Sequence, residues 1–94
     1  MQYSADAAET FALRVLAWLL EDEDLLGVFL NSSGMDAVDL RRRAGEGEVL
    51  ASVLDFVMLD DRWVIACCDA QGLAPEHVMQ ARAALPGGAA VNWT

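Results

Sequence analysis

The chain contains no lysine, one histidine, two prolines and no long apolar run. The run from Val15 to Leu20 covers six residues, whereas a helix that crosses a bilayer needs about 20. We find no charged start followed by an apolar stretch and a small-residue cleavage site, which is the pattern of a secretory signal. These absences predict a cytoplasmic protein that does not enter a membrane.

The missing lysines leave six arginines to face fifteen acidic residues, and the net charge is −9. The acids are spread over both halves of the chain rather than gathered in a tail. A surface of this sign repels phosphate backbones and anionic lipid headgroups. The composition therefore disfavours nucleic-acid and membrane partners, unless a local basic patch provides the contact.

Cysteine is scarce, and the two cysteines present, Cys67 and Cys68, are adjacent. Neighbouring side chains on a helix point about 100° apart, so a disulfide between them would be strained. No CxxC spacing accompanies them. We predict reduced thiols, with Cys67 buried and Cys68 nearer the edge of the core; a reactive or metal-binding thiol is the alternative.

Other chemistry-bearing residues also lack partners along the sequence. His77, the single histidine, has no nucleophile near it in sequence. The acidic run 21–24 lacks the alternating ligands and central glycine of an EF-hand calcium loop. We interpret His77 as a surface or half-packed side chain and the acids as helix-capping residues. The sequence thus predicts no catalytic residue, no metal site and no cofactor, and a protein that is not an enzyme.

What the chain does have is an internal repeat. Two stretches coincide at an offset of 38 residues in their apolar positions, their acidic helix start and their glycine stop. The acidic start is Asp22 in the first copy and Asp60 in the second, and the stop is Gly34 and then Gly72. The apolar pairs are Val15 and Val53, Leu16 and Leu54, Trp18 and Phe56, Leu20 and Met58, Leu25 and Trp63, Leu26 and Val64, and Leu40 and Val78. A duplication would explain this shared pattern, although the pattern does not require one.

Apolar spacing and capping residues predict six helices and no strand. We expect the first helix to begin after Asp6 and the last to begin at Pro75. Asp22, Asp36 and Asp60 are expected to cap the second, third and fifth helices. The expected bounds are about 7–20, 23–33, 37–44, 48–59, 61–71 and 75–85.

Helices this short pack across one another more readily than along parallel seams. We therefore predict an all-α fold, a compact orthogonal bundle of five to six short helices arranged as two pseudo-repeated helix triplets. One domain would cover residues 1–94, with an ordered core at about 6–85 and a flexible tail at 86–94. Each triplet alone would bury too little apolar surface to be stable, so the halves should unfold together.

Arg41, Arg42 and Arg43 form the one cluster that opposes the global charge. Three consecutive residues on a helix spread over roughly 200°, so at least two of them face solvent. They either stabilise the helix end and pair with nearby acids, or contact an anionic partner such as an acidic protein segment, RNA or DNA.

Trp93, an aromatic residue in the predicted tail, would dock on the bundle itself or in a partner's groove.

Several stretches together resemble a known family. They are 16–20, 22–30, Gly34, 39–41, 49–56 with the acidic pair 60–61, and 81–87, so the resemblance covers roughly residues 8–87. The family consists of short acidic all-helical proteins from alphaproteobacteria and is a domain of unknown function. The resemblance implies a helical fold and brings no reaction, ligand or partner with it. Cys67 and Cys68 stand where the family more often has an aromatic or aliphatic pair.

These observations favour a small non-enzymatic helical protein that acts through protein–protein interaction. The expected contacts are an exposed apolar groove between the triplets and the arginine cluster. The alternative is a nucleic-acid-binding or regulatory protein that resembles a helix-turn-helix and uses Arg41, Arg42 and Arg43 on phosphates. An enzyme of unrecognised type would need a pocket that joins His77 or the cysteines to carboxylates. A homodimer is open as well, since a core this apolar can leave a face for a second copy to cover.

Overall fold

The structure, a computed structural model, describes residues 3–86. This part of the chain forms six helices and no strand, and none of these helices combines the length and the hydropathy of a membrane span. The helices are α1 (Ala5–Leu20), α2 (Glu23–Ser33), α3 (Ala37–Arg43), α4 (Gly47–Val57), α5 (Asp61–Gln71) and α6 (Glu76–Ala83). The prediction of an all-α fold is confirmed.

Three aspartates begin helices as the sequence predicts. The carboxylate of Asp22 accepts the backbone N–H of Leu25 at 3.1 Å. Asp36 and Asp60 likewise accept backbone N–H groups from the first turns of α3 and α5. Each cap satisfies a donor that the helix itself leaves unpaired, which fixes where the helix starts.

Helix α1 begins earlier than predicted, because Ser4 and not Asp6 is its cap. The Ser4 hydroxyl oxygen accepts the backbone N–H of Ala7 at 3.1 Å. Asp6 lies inside the first turn, where the helix dipole favours a negative charge. Serine and aspartate are comparable caps, so the local sequence does not discriminate between two candidates two residues apart.

The predicted bounds of α4 and α6 also need correction. Helix α4 ends at Val57 and α6 at Ala83, each two residues earlier than expected. Pro75 precedes the first helical residue of α6 rather than occupying that position, although its φ of −56° and ψ of −29° are already helical. Shifts of this size are common at helix ends, where hydrogen bonding changes gradually.

The repeat also sets helix ends. Helices α2 and α5 coincide residue for residue at the offset of 38. Each ends at a glycine in the left-handed region, with φ of 75° at Gly34 and 70° at Gly72. Residues with a Cβ enter that region at a cost, so the predicted glycine stops are confirmed together with their physical reason.

Apolar residues from both halves form one core. The most extensive contact joins α1 with α4, and α6 packs against both of these helices. The paired residues Val15 and Val53, and Leu16 and Leu54, are all buried in this core. Because the contact between α1 and α4 belongs to both triplets, neither triplet buries its apolar face alone.

Some positions depart from the burial that the pattern suggests. Leu20 is 49% exposed, and Trp63 and Val64 are half-buried. Cys68, which we expected nearer the edge, is as fully buried as Cys67. That expectation is wrong because α5 packs against both α4 and α6, so two adjacent faces of the helix are covered.

An ion pair holds the end of α6 against α4. Arg82 Nε donates to Asp55 Oδ1 at 2.7 Å, and Arg82 Nη1 donates to the carbonyl oxygen of Pro86 at 2.9 Å. The ring of Pro86 lies so close to Gly47 that a Cβ at this position would come within 3.0 Å of it. A glycine at the start of α4 therefore permits the chain after α6 to pack there.

Candidate functional site

An apolar cleft of about 180 Å³ lies between α1, α2 and α3. We call it the arginine cleft, because Arg41 is the one charged residue that lines it. The complete lining is Leu16, Leu20, Leu26, Ala37, Leu40, Arg41 and Ala44. A side chain that enters this cleft meets hydrocarbon on most sides and a guanidinium on one.

Leu40 determines how Arg41 comes to line the cleft. Leu40 is buried in the core and fixes the rotation of α3 about its own axis. The next residue lies about 100° further round the helix, at the boundary between the core face and solvent. Arg41 therefore contributes to the apolar wall while its side chain stays exposed.

The three arginines of the cluster differ in their pairing. Arg42 Nη2 lies 3.7 Å from a carboxylate oxygen of Asp39, and Arg43 Nε donates to Glu46 Oε1 at 3.0 Å. Within residues 3–86, no carboxylate lies within 4.0 Å of Arg41. Of the three arginines of the cluster, the one that lines the apolar cleft is thus the one without a carboxylate partner in residues 3–86.

A second apolar cleft, of about 340 Å³, lies between the end of α4, α5 and α6. We call it the acidic cleft, because Asp61 and Glu76 line it. In the part of the chain that the structure describes, neither carboxylate has a cation within 4.0 Å. The complete lining is Met58, Asp61, Val64, Pro75, Glu76, Val78 and Met79.

The two clefts occupy equivalent positions of the repeat. Five lining residues of one are related to five of the other by the offset of 38: Leu20 and Met58, Leu26 and Val64, Ala37 and Pro75, Leu40 and Val78, and Arg41 and Met79. The charge differs because Arg41 is replaced by Met79, and because Glu76 stands where the first half has Val38. The repeat therefore builds one cleft in each triplet and gives the two clefts opposite charge.

The structure separates the residues that the sequence analysis proposed for partner binding. Of the arginine cluster, Arg41 lines an apolar cleft, and this cleft lies within the first triplet rather than between the triplets. Trp93 lies outside the described residues. The acidic cleft was not predicted, although the repeat contained its signal: the offset carries Leu20, Leu26 and Leu40 onto apolar residues of the second half.

Both thiols are free and buried. Burial, with a smaller effect of the neighbouring Cys68, raises the pKa of Cys67 from 9.0 to about 11, and a hydrogen bond from Gln71 opposes this rise. Burial raises the pKa of Cys68 as well, followed by the charges of Asp69 and Glu76. Since the thiolate is the nucleophile and the metal ligand, these surroundings oppose a reactive or metal-binding role for either cysteine.

His77 is half-buried near the start of α6 and contacts Tyr3 from the other end of the chain. The Tyr3 hydroxyl oxygen lies 2.6 Å from His77 Nδ1. Burial raises the pKa of Tyr3 above its ordinary value of 10.0. The Tyr3 hydroxyl donates to Nδ1 in the His77 tautomer that carries its proton on Nε2. Among the described residues, no three histidine, cysteine or acidic side chains come together as a metal-binding group.

Comparison with known proteins identifies the family. Curated proteins and solved structures give no significant match to the chain. The model of a family described as "Protein of unknown function (DUF3572)" matches residues 5–88, a range that includes all six helices. The resemblance to a family without an assigned function is confirmed in this respect, and the chain belongs to the DUF3572 family.

Proposed function

We propose that this protein is a non-enzymatic binding module, and that its arginine cleft accepts an amphipathic helical segment of another protein. The segment carries one large apolar side chain and an aspartate or glutamate about one helical turn away. The observation that supports this is the position of Arg41, a guanidinium without a carboxylate partner in residues 3–86, on the wall of an apolar cleft.

The volume of the arginine cleft favours a side chain over a free small molecule. Pockets that enclose cofactors and drug-sized ligands measure about 300–1,000 Å³, and the arginine cleft has about 180 Å³. An apolar cavity of about 150 Å³ holds a single benzene ring. One phenylalanine or leucine side chain therefore fills the arginine cleft, as anchor residues do when a helix binds in a groove.

Charge supplies the second element of recognition. The chain has a net charge of −9, so an acidic segment is repelled by most of the surface. Arg41 provides a local exception next to the apolar cleft, and a guanidinium holds a carboxylate with two parallel hydrogen bonds. Residues three or four apart on a helix lie on the same face, which is why the acid is expected about one turn from the anchor.

The non-enzymatic part of the proposal is supported by the state of the reactive groups. Cys67 has a pKa of about 11 and holds its proton at neutral pH. His77 Nδ1 is occupied by the Tyr3 hydroxyl. Neither Cys67 nor His77 lines the arginine cleft or the acidic cleft, so these candidate nucleophilic and acid–base groups lie outside both clefts.

Selection from a displayed library of helical peptides tests this proposal without knowledge of the natural partner. We expect the enriched peptides to carry leucine or phenylalanine with an acid three or four positions away. Arg41→Glu should abolish this preference. The matched control is Arg42→Glu, which changes the net charge equally on the adjacent exposed residue but lies outside the cleft. Enrichment that is unchanged by Arg41→Glu, or lost equally in both variants, would contradict the proposal.

Nucleic-acid binding is the second candidate, because three consecutive arginines can contact phosphates. Arg42 and Arg43 already lie near carboxylates at 3.7 and 3.0 Å, so a phosphate would compete with them for both side chains. We expect no measurable binding of mixed DNA or RNA at salt concentrations of about 50 mM, where phosphate contacts are strong. Binding that weakens steeply with added salt would favour this second candidate instead.

A further inference from the structure

We propose that the acidic cleft is a second, separate docking site and that its occupant is a basic amphipathic helix of another protein. The first support is an exposed apolar wall. Met79 is 68% exposed and borders a floor that includes the buried Val78 and the half-buried Val64. Methionine side chains adapt to ligands of varied shape, and for this reason they are common on surfaces that bind amphipathic helices.

The size of the acidic cleft indicates how the occupant contacts it. Its volume of about 340 Å³ is close to twice the 180 Å³ of the arginine cleft. A space of about 150 Å³ holds one ring-sized group, so the acidic cleft takes two neighbouring apolar side chains. On a helix these are residues three or four positions apart, which form a continuous apolar stripe.

The charge of the acidic cleft selects a cationic segment. Asp61 lies at the start of α5 and Glu76 at the start of α6, so the two carboxylates approach the cleft from different helices. Neither has a cation within 4.0 Å in residues 3–86. Lysine and arginine side chains lay their hydrocarbon stems on an apolar wall and extend their charge to its rim, and opposite charges around an apolar centre orient the docking partner.

A second copy of this chain is a poorer occupant than a foreign helix. The basic cluster of the chain is α3, where Arg42 and Arg43 already pair with Asp39 and Glu46 and only Arg41 lacks a carboxylate partner in residues 3–86. Two molecules that each carry a net charge of −9 also repel one another. A basic helix of another protein is instead attracted by that same charge.

A pair of synthetic peptides tests the proposal. One is a helical peptide of about 14 leucine and lysine residues in an amphipathic pattern, and the other has glutamate in place of every lysine. We expect the double variant Asp61→Asn with Glu76→Gln to bind the lysine peptide about tenfold more weakly. The control is Glu23→Gln with Asp24→Asn, which removes the same charge from the start of α2, outside both clefts.

Exposed apolar residues give a second, independent measurement. Met79→Ser should weaken binding of the lysine peptide about tenfold, because it removes an apolar wall. Leu59→Ser is the matched control, since Leu59 is 76% exposed and lies outside the acidic cleft. Neither substitution touches the buried core, so loss of folding does not obscure the result.

Three outcomes would overturn the proposal. Equal weakening by both double charge variants would show that only the global charge attracts the peptide. Equal weakening by Met79→Ser and Leu59→Ser would show that the lysine peptide does not bind specifically in the acidic cleft. Self-association in light scattering that Met79→Ser abolishes would make a second copy the occupant. The arginine cleft is assayed separately with the glutamate peptide and Arg41→Glu, so the two proposals fail or succeed independently.

Discussion

The middle helices of the two halves coincide residue for residue, whereas the clefts of the two halves carry opposite charge. Helices α2 and α5 have equivalent caps, lengths and glycine stops. Yet Cys67 stands where α2 has Phe29, and Met79 stands where α3 has Arg41. The residues that start and stop these two helices are equivalent in both halves, whereas side chains in the core and on the cleft walls differ. Two clefts of opposite charge can therefore arise on one repeated framework.

The largest expected effect comes from the same truncation at equivalent core positions. Leu54→Ala should lower the free energy of unfolding by about 4 kcal/mol, because Leu54 is fully buried and its loss leaves a cavity. Leu16→Ala should cost only about 2 kcal/mol, since Leu16 already borders the arginine cleft and has fewer neighbours to lose. Urea unfolding of both variants measures the difference.

The same titrations test whether the halves depend on each other. One shared core predicts a single transition for the protein and for both variants. Two separate transitions would show that the triplets fold independently. If Leu16→Ala lowers the free energy of unfolding as much as Leu54→Ala, the neighbouring arginine cleft does not reduce the cost of truncating Leu16.

Thiol reactivity sharpens the comparison of Cys67 with Phe29. Both side chains are buried at equivalent positions, so Cys67 should behave as a small core residue. Its pKa of about 11, against an ordinary 9.0, leaves about a hundredfold less thiolate at a given pH below 9. We expect labelling of native Cys67 by a thiol reagent at pH 8 to be at least that much slower than in urea. Rapid native labelling would contradict the buried position.

This pKa also predicts how stability depends on pH. Because folding raises the pKa of Cys67, the thiol contributes its stability below about pH 9, and the contribution is lost as the pH rises towards about 11. The free energy of unfolding should therefore fall over this range. Cys67→Ala should make this decline in the free energy of unfolding less steep. An unchanged decline would show that another titratable group causes it.

The framework was predictable from the sequence because its signals are local. Asp22 and Asp60 cap helices through their own carboxylates, and Gly34 and Gly72 stop them through their own φ angles. Alternatives within a few residues were not resolved: Ser4 and Asp6 are both adequate caps, and Ser4 is the one that caps α1. Local chemistry thus defined the elements and left their ends uncertain by about two residues.

The clefts were less predictable because they depend on how three helices meet. The sequence identified the arginine cluster, but not that Arg41 alone would line an apolar cleft while its two neighbours lie near carboxylates. The burial of Cys68 likewise depends on the contacts of α5 with two other helices. Contacts between helices that are distant in the chain have no local sequence pattern, so these features could not be predicted from the sequence.

An exchange of the wall residues tests whether Arg41 and Met79 account for the contrast between the clefts. Arg41→Met should reduce affinity for the glutamate peptide about tenfold, and Met79→Arg should reduce affinity for the lysine peptide by a similar factor. Both residues are exposed, so the free energy of unfolding should change little. Fluorescence anisotropy of labelled peptides measures both affinities. Affinities that stay within twofold in both variants would show that Arg41 and Met79 do not account for the different peptide preferences of the two clefts.

The smallest expected effect tests whether the two glycine stops are equivalent. Gly34→Ala and Gly72→Ala should each cost about 1 kcal/mol, because φ of 75° and 70° strains any residue with a Cβ. A Cβ at either position, or at Gly27 inside α2, meets no atom within 4 Å. Gly27→Ala should therefore stabilise the protein by about 0.5–1 kcal/mol, since the helical backbone favours alanine. Opposite signs in urea unfolding would attribute the stops to backbone conformation, whereas stabilisation by all three alanines would show that the left-handed turns are dispensable.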